Sequence, residues 1–239
     1  MPLNFAADPD GKAVYFIDSY LVDNVDSSES RFYDEYYSIF KYRIKSGYTE
    51  KIWSSTDRLE FLALSADGKY LTFTRYNTNN FNDITSSKEV LTLANQTTEQ
   101  IGFGLQATWA KTQPKLFTRT ESSLYIADIQ QLSSRQALSS FIPNEVNTTD
   151  AYDYAAWSPD DRYIVFSKLS GTTYLYEAAT QKYSTIAGDL ETYHWLDSRS
   201  FLAVNDNRLY KYAIDSLDDP TPLGISVQAY KQMDLFPRQ

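Results

Sequence analysis

Most of this chain is built from short stretches in which apolar and polar residues alternate with a period of two, separated by small polar turns, a pattern that predicts β-strands. Three stretches share a finer pattern: FAADPDGKAVYFI from Phe5, FLALSADGKYLTF from Phe61 and AAWSPDDRYIVF from Ala155. Each has apolar residues, then a Ser/Asp-Pro/Ala-Asp-Gly/Asp turn, then a strand ending in phenylalanine. Pro159 presets φ at the second turn position, and a glycine or aspartate closes the turn. The run Tyr163-Ile164-Val165-Phe166 puts apolar side chains on both faces of its strand, as a strand covered on both sides requires. Two weaker copies, ATWAKTQPKLFT from Ala107 and YHWLDSRSFLAV from Tyr193, keep a tryptophan but lose the turn chemistry. Aligned on that position, the repeat register falls on Ala7, Leu64, Trp109, Trp157 and Trp195.

A unit recurring every ~40–50 residues with four short strands is the signature of a propeller. Third and fourth strands follow each turn motif, for example KEVLTLANQ with TEQIGFG and TYLYEAAT with KYSTIAG. The expected fold class is therefore all-β, a β-propeller of four-stranded antiparallel blades, with five blades counted and six possible. As a single domain over residues 1–239, the blades fall at about 3–55, 59–103, 106–142, 152–188 and 192–226. Residues 227–239 are left as a closing strand, partial blade or linker.

The Trp-Ser-Pro-Asp-Asp-Arg-Tyr-Ile-Val-Phe and Leu-Ser-Ala-Asp-Gly-Lys-Tyr-Leu-Thr-Phe stretches resemble the WD-like repeats of TolB-like bacterial β-propellers. Similar repeats form the propeller domains of prolyl-oligopeptidase-type peptidases and of bacterial surface proteins. The Gly-His and Trp-Asp signatures of the eukaryotic WD repeat are absent. Six blades are usual in the TolB-like group, so a count of five departs from it. The resemblance implies a non-catalytic binding or scaffolding module placed outside the cytoplasm, in the periplasm or at the cell surface. The abrupt Met-Pro start fits a removed N-terminal anchor.

Composition narrows the classes. With 31 acidic against 22 basic residues, the formal charge is −9, and the basic footprint that nucleic acid demands is missing. There is no cysteine, hence no disulfide framework and no thiolate metal site. No apolar run approaches the roughly 18 residues of a membrane helix, so membrane insertion by this chain is not expected. Twenty tyrosines, thirteen phenylalanines and four tryptophans suit strands. The repeated register of Trp109, Trp157 and Trp195 points to packing rather than ligand binding.

Sequence motifs for common chemistries are missing: no G-x-S-x-G, H-E-x-x-H, P-loop or G-x-G-x-x-G occurs. The single histidine, His194, lies within a strand pattern and reads as a strand residue facing the channel or a neighbouring blade. No catalytic, cofactor-binding or metal-ligating residue is assigned, and no cofactor is expected. The sequons at Asn95 and Asn147 matter only in a eukaryotic secretory setting. The stretch 22–37 carries Asp23, Asp26, Glu29, Asp34 and Glu35 against Arg31, without the glycine and carboxylate spacing of an EF-hand.

Up-and-down blade topology places second-to-third connections and blade-to-blade connections on one rim. The long stretches 22–35, 77–87 and 142–152 all fall there, and are read as loops. The candidate binding face is accordingly Asp23, Asp26, Glu29, Phe32, Tyr33, Asp34, Glu35, Asn80, Phe81, Asp83, Asn144, Glu145 and Tyr152, since long loops on rigid scaffolds carry recognition. Its acidity suits a basic or amide-rich protein or peptide partner. The competing expectation is a propeller enzyme of lactonase or lyase type with a polar or metal site at the channel mouth. A further alternative is the propeller half of a larger peptidase.

Overall fold

The computed structural model describes residues 5–25, 31–77, 85–103, 107–119, 124–130, 136–137, 152–168, 171–188 and 190–227. Most of them are strand, and none lies in an α-helix. The chain divides into two compact units, residues 2–105 and 106–239. Every sheet among the described residues has four strands in sequential antiparallel order.

The first unit holds two sheets. One comprises β1 (Phe5–Ala7), β2 (Ala13–Val25), β3 (Arg31–Arg43) and β4 (Tyr48–Ser55). The other comprises β5 (Arg58–Leu64), β6 (Tyr70–Asn77), β7 (Thr85–Thr92) and β8 (Thr97–Phe103). Tyr15, Ile39 and Ile52 of the first sheet meet Leu59, Leu62, Leu71, Phe73 and Leu91 of the second in one buried cluster. Trp53 closes over Phe73 with ring centroids 5.1 Å apart. At ~25 cal/mol per Å² of apolar surface, this stacked interface is what holds the two sheets together.

The turn chemistry read from the sequence is present in both sheets. Gly11 and Gly68 close their turns at φ +69° and +70°, a left-handed conformation that glycine adopts without penalty. Their N–H groups donate to the carbonyls of Asp8 and Ser65. In the second sheet the Ser65 hydroxyl donates to Asp67 (2.7 Å) and accepts the Tyr70 N–H (3.0 Å), which fixes where β6 begins.

The second unit holds three sheets. The first is β9 (Thr108–Trp109), β10 (Lys115–Arg119), β11 (Leu124–Asp128) and β12 (Gln136–Ala137). The second is β13 (Tyr152–Trp157), β14 (Tyr163–Lys168), β15 (Thr173–Glu177) and β16 (Lys182–Ile186). The third is β17 (Leu190–Trp195), β18 (Ser200–Asn205), β19 (Arg208–Ala213) and β20 (Thr221–Ser226). The middle sheet is covered on both faces. Ile164 and Phe166 enter the cluster with Phe117 and Ile126 of the preceding sheet. Tyr163 and Val165 enter the cluster with Trp195, Phe201 and Tyr212 of the following one. This is the two-sided burial that the unbroken apolar run predicts.

The tryptophans act as wedges between sheets. Trp157 Nε1 donates to the Thr108 carbonyl at 3.0 Å, and Trp195 Nε1 donates to the Ala156 carbonyl at 3.1 Å. Each indole thus buries its apolar body while its one polar atom is satisfied by the sheet before it.

One carboxylate has a role beyond turn formation. Asp160 caps its own turn, accepting the Ser158 hydroxyl at 2.7 Å. Asp161 reaches the preceding sheet instead, where it accepts Thr112 N–H (2.9 Å), the Thr112 hydroxyl and Lys111 N–H. It does so from φ +58°, the conformation glycine holds in the sister turns. Asp161→Ala keeps the left-handed strain and loses all three bonds, so it is expected to lower unfolding free energy by about 2–4 kcal/mol. Asp161→Gly relieves the strain and is expected to cost less. Urea unfolding of the two variants beside wild type checks that order, and equal losses would remove the clamp role.

Candidate binding surface

The first sheet departs from the others in the length of its middle strands. β2 and β3 have 13 residues each, whereas their counterparts in the other sheets have 5 to 8. Pairing runs without interruption from Ala13↔Arg43 to Val25↔Arg31. β1 reaches only to Phe16, and β4 ends opposite Tyr37. Beyond those points the two strands continue as a two-stranded ribbon for roughly 20 Å.

This corrects the reading of 22–35 as a loop. Residues 22–25 and 31–35 are strand, and 26–30 lie outside the described residues. The reason is cross-strand side-chain pairing, which stabilises an antiparallel ribbon where no third strand helps. Phe16 stacks on Phe40 with centroids 5.4 Å apart, and Tyr20 on Tyr36 at 5.8 Å and 15° between planes. The stretch 77–87 is shortened in the same way, because Asn77 ends β6 and Thr85 starts β7.

Of the candidate residues, Asp23, Phe32, Tyr33, Asp34 and Glu35 belong to the ribbon, where Val22 lies opposite Asp34, Asp23 opposite Tyr33 and Asn24 opposite Phe32. Glu35 is exposed. Tyr152 begins β13 in the second unit. Asp26, Glu29, Asn80, Phe81, Asp83, Asn144 and Glu145 lie outside the described residues. His194 sits half-buried in β17, opposite Leu202.

Several residues that sequence reading passed over complete the surface. Tyr20 and Leu21 are 41% and 65% exposed on the ribbon. At its base stands a compact polar group from β3, β5 and β6. Arg58 forms a close ion pair with the buried Glu60, and its guanidinium lies over the Tyr76 ring at 5.7 Å. Burial, reinforced by the neighbouring Glu60 carboxylate, pushes the Tyr76 hydroxyl up to about 12. Burial and a hydrogen bond to Glu35 likewise raise Tyr37. Arg75 bridges Asp57 (3.7 Å) and Glu89 (3.4 Å) nearby. These groups pair with one another, so they brace the ribbon's root. Residues 18–25 (DSYLVDNV) and 31–37 (RFYDEYY) do not alternate between apolar and polar, so no period of two marked the ribbon. Nothing local marked Tyr76, which meets Arg58 and Glu60 of β5 only across strands.

Among the described residues no group of three or more His, Asp or Glu side chains is placed to hold a metal ion. No helix among them is long and apolar enough to cross a membrane.

No protein-family model and no curated protein matches the chain. Solved structures do match it in fold. A chain of the mitotic checkpoint complex aligns at TM-score 0.59 and 9% identity, covering 90% of this chain and 62% of that one. TolB from Acinetobacter baumannii aligns at TM-score 0.53 and 16% identity, covering 95% of this chain and 55% of its own. The propeller domain of Cps50 (Swd1) from Myceliophteria thermophila aligns at 0.57 and 12%, covering 95% and 69%. This chain thus spans 62% and 55% of the first two structures' lengths. At such identities the likeness is one of fold, and it defines the class: the chain has a β-propeller fold, like TolB and the Swd1 propeller domain.

Proposed function

We propose that this propeller is a non-catalytic binding module that engages a protein or peptide partner through the β2–β3 ribbon. The observation that carries the reading is the ribbon itself, 13 paired residues per strand where the sheet around it supplies partners for little more than half. A strand pair extended past its sheet gains little core burial, so its length is explained by what it presents rather than by what it stabilises. The polar group at its root suits positioning, since its arginines and carboxylates neutralise one another. The fold supports such a role without fixing it, as propellers of similar structure include a component of the mitotic checkpoint complex and an oligogalacturonate lyase. Placement in a bacterial extracytoplasmic compartment belongs to the same proposal, on the strength of the TolB-like repeats.

The test is to join Tyr20 to Tyr36, which already stack, through an Asn-Gly turn that replaces residues 21–35. The shortened protein is expected to keep its unfolding midpoint and to lose the partners that the full chain captures from bacterial envelope extracts by cross-linking. Retention of the same partners at equal stability would overturn the role of the ribbon.

A further inference from the structure

We propose that the ribbon binds by strand addition, taking an extended, Lys/Arg-bearing peptide segment onto the free edge of β3 at Arg31–Tyr36. This rests on the binding reading above and specifies its mode and partner chemistry. β4 stops opposite Tyr37, and among the described residues no strand pairs with Arg31–Tyr36 on the side away from β2. Among the described residues those six positions are strand with a partner on one side only, and six residues is the length of an ordinary strand. An edge of this kind offers unpaired main-chain donors and acceptors to any chain that can lie alongside it. The incoming segment would continue the line of β4, making the ribbon three-stranded.

Charge selects the occupant. From Asp18 to Glu35 the ribbon and its connection carry six carboxylates against the single Arg31. Two copies of the ribbon set edge to edge would bring those carboxylates together, and like charges across strands destabilise pairing. A basic segment relieves the same repulsion. Main-chain pairing supplies affinity, and the charge of alternate side chains supplies specificity.

The experiment uses the full chain and three eight-residue peptides: alternating Lys-Val, alternating Glu-Val, and the Lys-Val peptide N-methylated at every residue, so that neither edge can donate a main-chain hydrogen bond. Amide hydrogen exchange is followed by mass spectrometry and NMR. The Lys-Val peptide is expected to slow exchange within residues 31–36 by about tenfold or more at low salt, with protection fading as salt rises. The acidic and N-methylated peptides are expected to give none. Equal protection by the N-methylated peptide means side-chain attraction without strand pairing and overturns the proposal, as does absence of protection by Lys-Val. Concentration-dependent dimerisation that itself protects 31–36 assigns the edge to a second copy and overturns the basic-partner assignment. If the shortened ribbon abolishes capture while no peptide protects the edge, the binding module stands and strand addition falls.

Discussion

Replacing Lys88 by methionine is expected to stabilise the protein at pH 7 by up to ~5 kcal/mol, the largest effect anticipated for any single substitution here. Lys88 is only 1% exposed. It donates to the Thr74 hydroxyl at 2.6 Å and lies 5.7 Å from the Phe61 ring. Burial drags its ammonium down from 10.5 to about 7. Between those values the unfolded chain holds a proton that the folded chain has released, so stability rises with pH through this window. The gain is complete above the unfolded value and is lost as pH falls through about 7. The tyrosines with raised values, Tyr76 foremost, act in the opposite direction above pH 10, so the clean range is pH 7 to 9.5. Wild type should gain on the order of 1.4 kcal/mol per pH unit there, and Lys88→Met should be nearly flat. Parallel slopes in urea unfolding at four pH values would show that the ammonium is not desolvated.

The second large effect concerns Trp157. Trp157→Ala is expected to cost about 3–5 kcal/mol, because the indole is 1% exposed and shares a cluster with Phe117, Ile126, Phe166 and Tyr176. Trp157→Phe keeps much of the apolar contact but abandons the Thr108 carbonyl, for about 1–3 kcal/mol. Chemical denaturation followed by far-UV circular dichroism reads both. A loss below about 1 kcal/mol for the alanine variant would mean the neighbouring sheets close over the gap, which the wedge geometry does not permit.

These two residues illustrate what a one-dimensional reading reaches. Trp157 was legible because its position recurs at Trp109 and Trp195, and repetition at a register reflects a repeated packing environment. Lys88 was not. In KEVLTLANQ it occupies a position that alternation leaves to either face, and its burial depends on Thr74 and Phe61, brought in from β6 and β5. The same holds for Glu60, whose pairing with Arg58 is local but whose burial is not.

The candidate surface divides similarly. That 22–35 lies between a second and a third strand followed from strand order alone. Its form did not, because Asp23, Asn24, Asp34 and Glu35 are poor strand residues individually, and they were read as loop. Stacking of Tyr20 on Tyr36 outweighs that preference, and such pairing is visible only once the register is known.

By itself, then, the sequence determined the all-β class, the sheet-by-sheet strand order and the turns at Asp8–Gly11, Ser65–Gly68 and Ser158–Asp161. All of these rest on near neighbours: a period of two, a glycine or aspartate at positive φ, and a serine hydroxyl capping the next strand. Tertiary structure alone decided that 22–25 and 31–35 are ribbon, that Asp161 reaches Thr112, and that Lys88 loses its water. Each of those outcomes depends on which strand lies alongside, and that is set by the energy of pairing and burial between residues far apart in the chain.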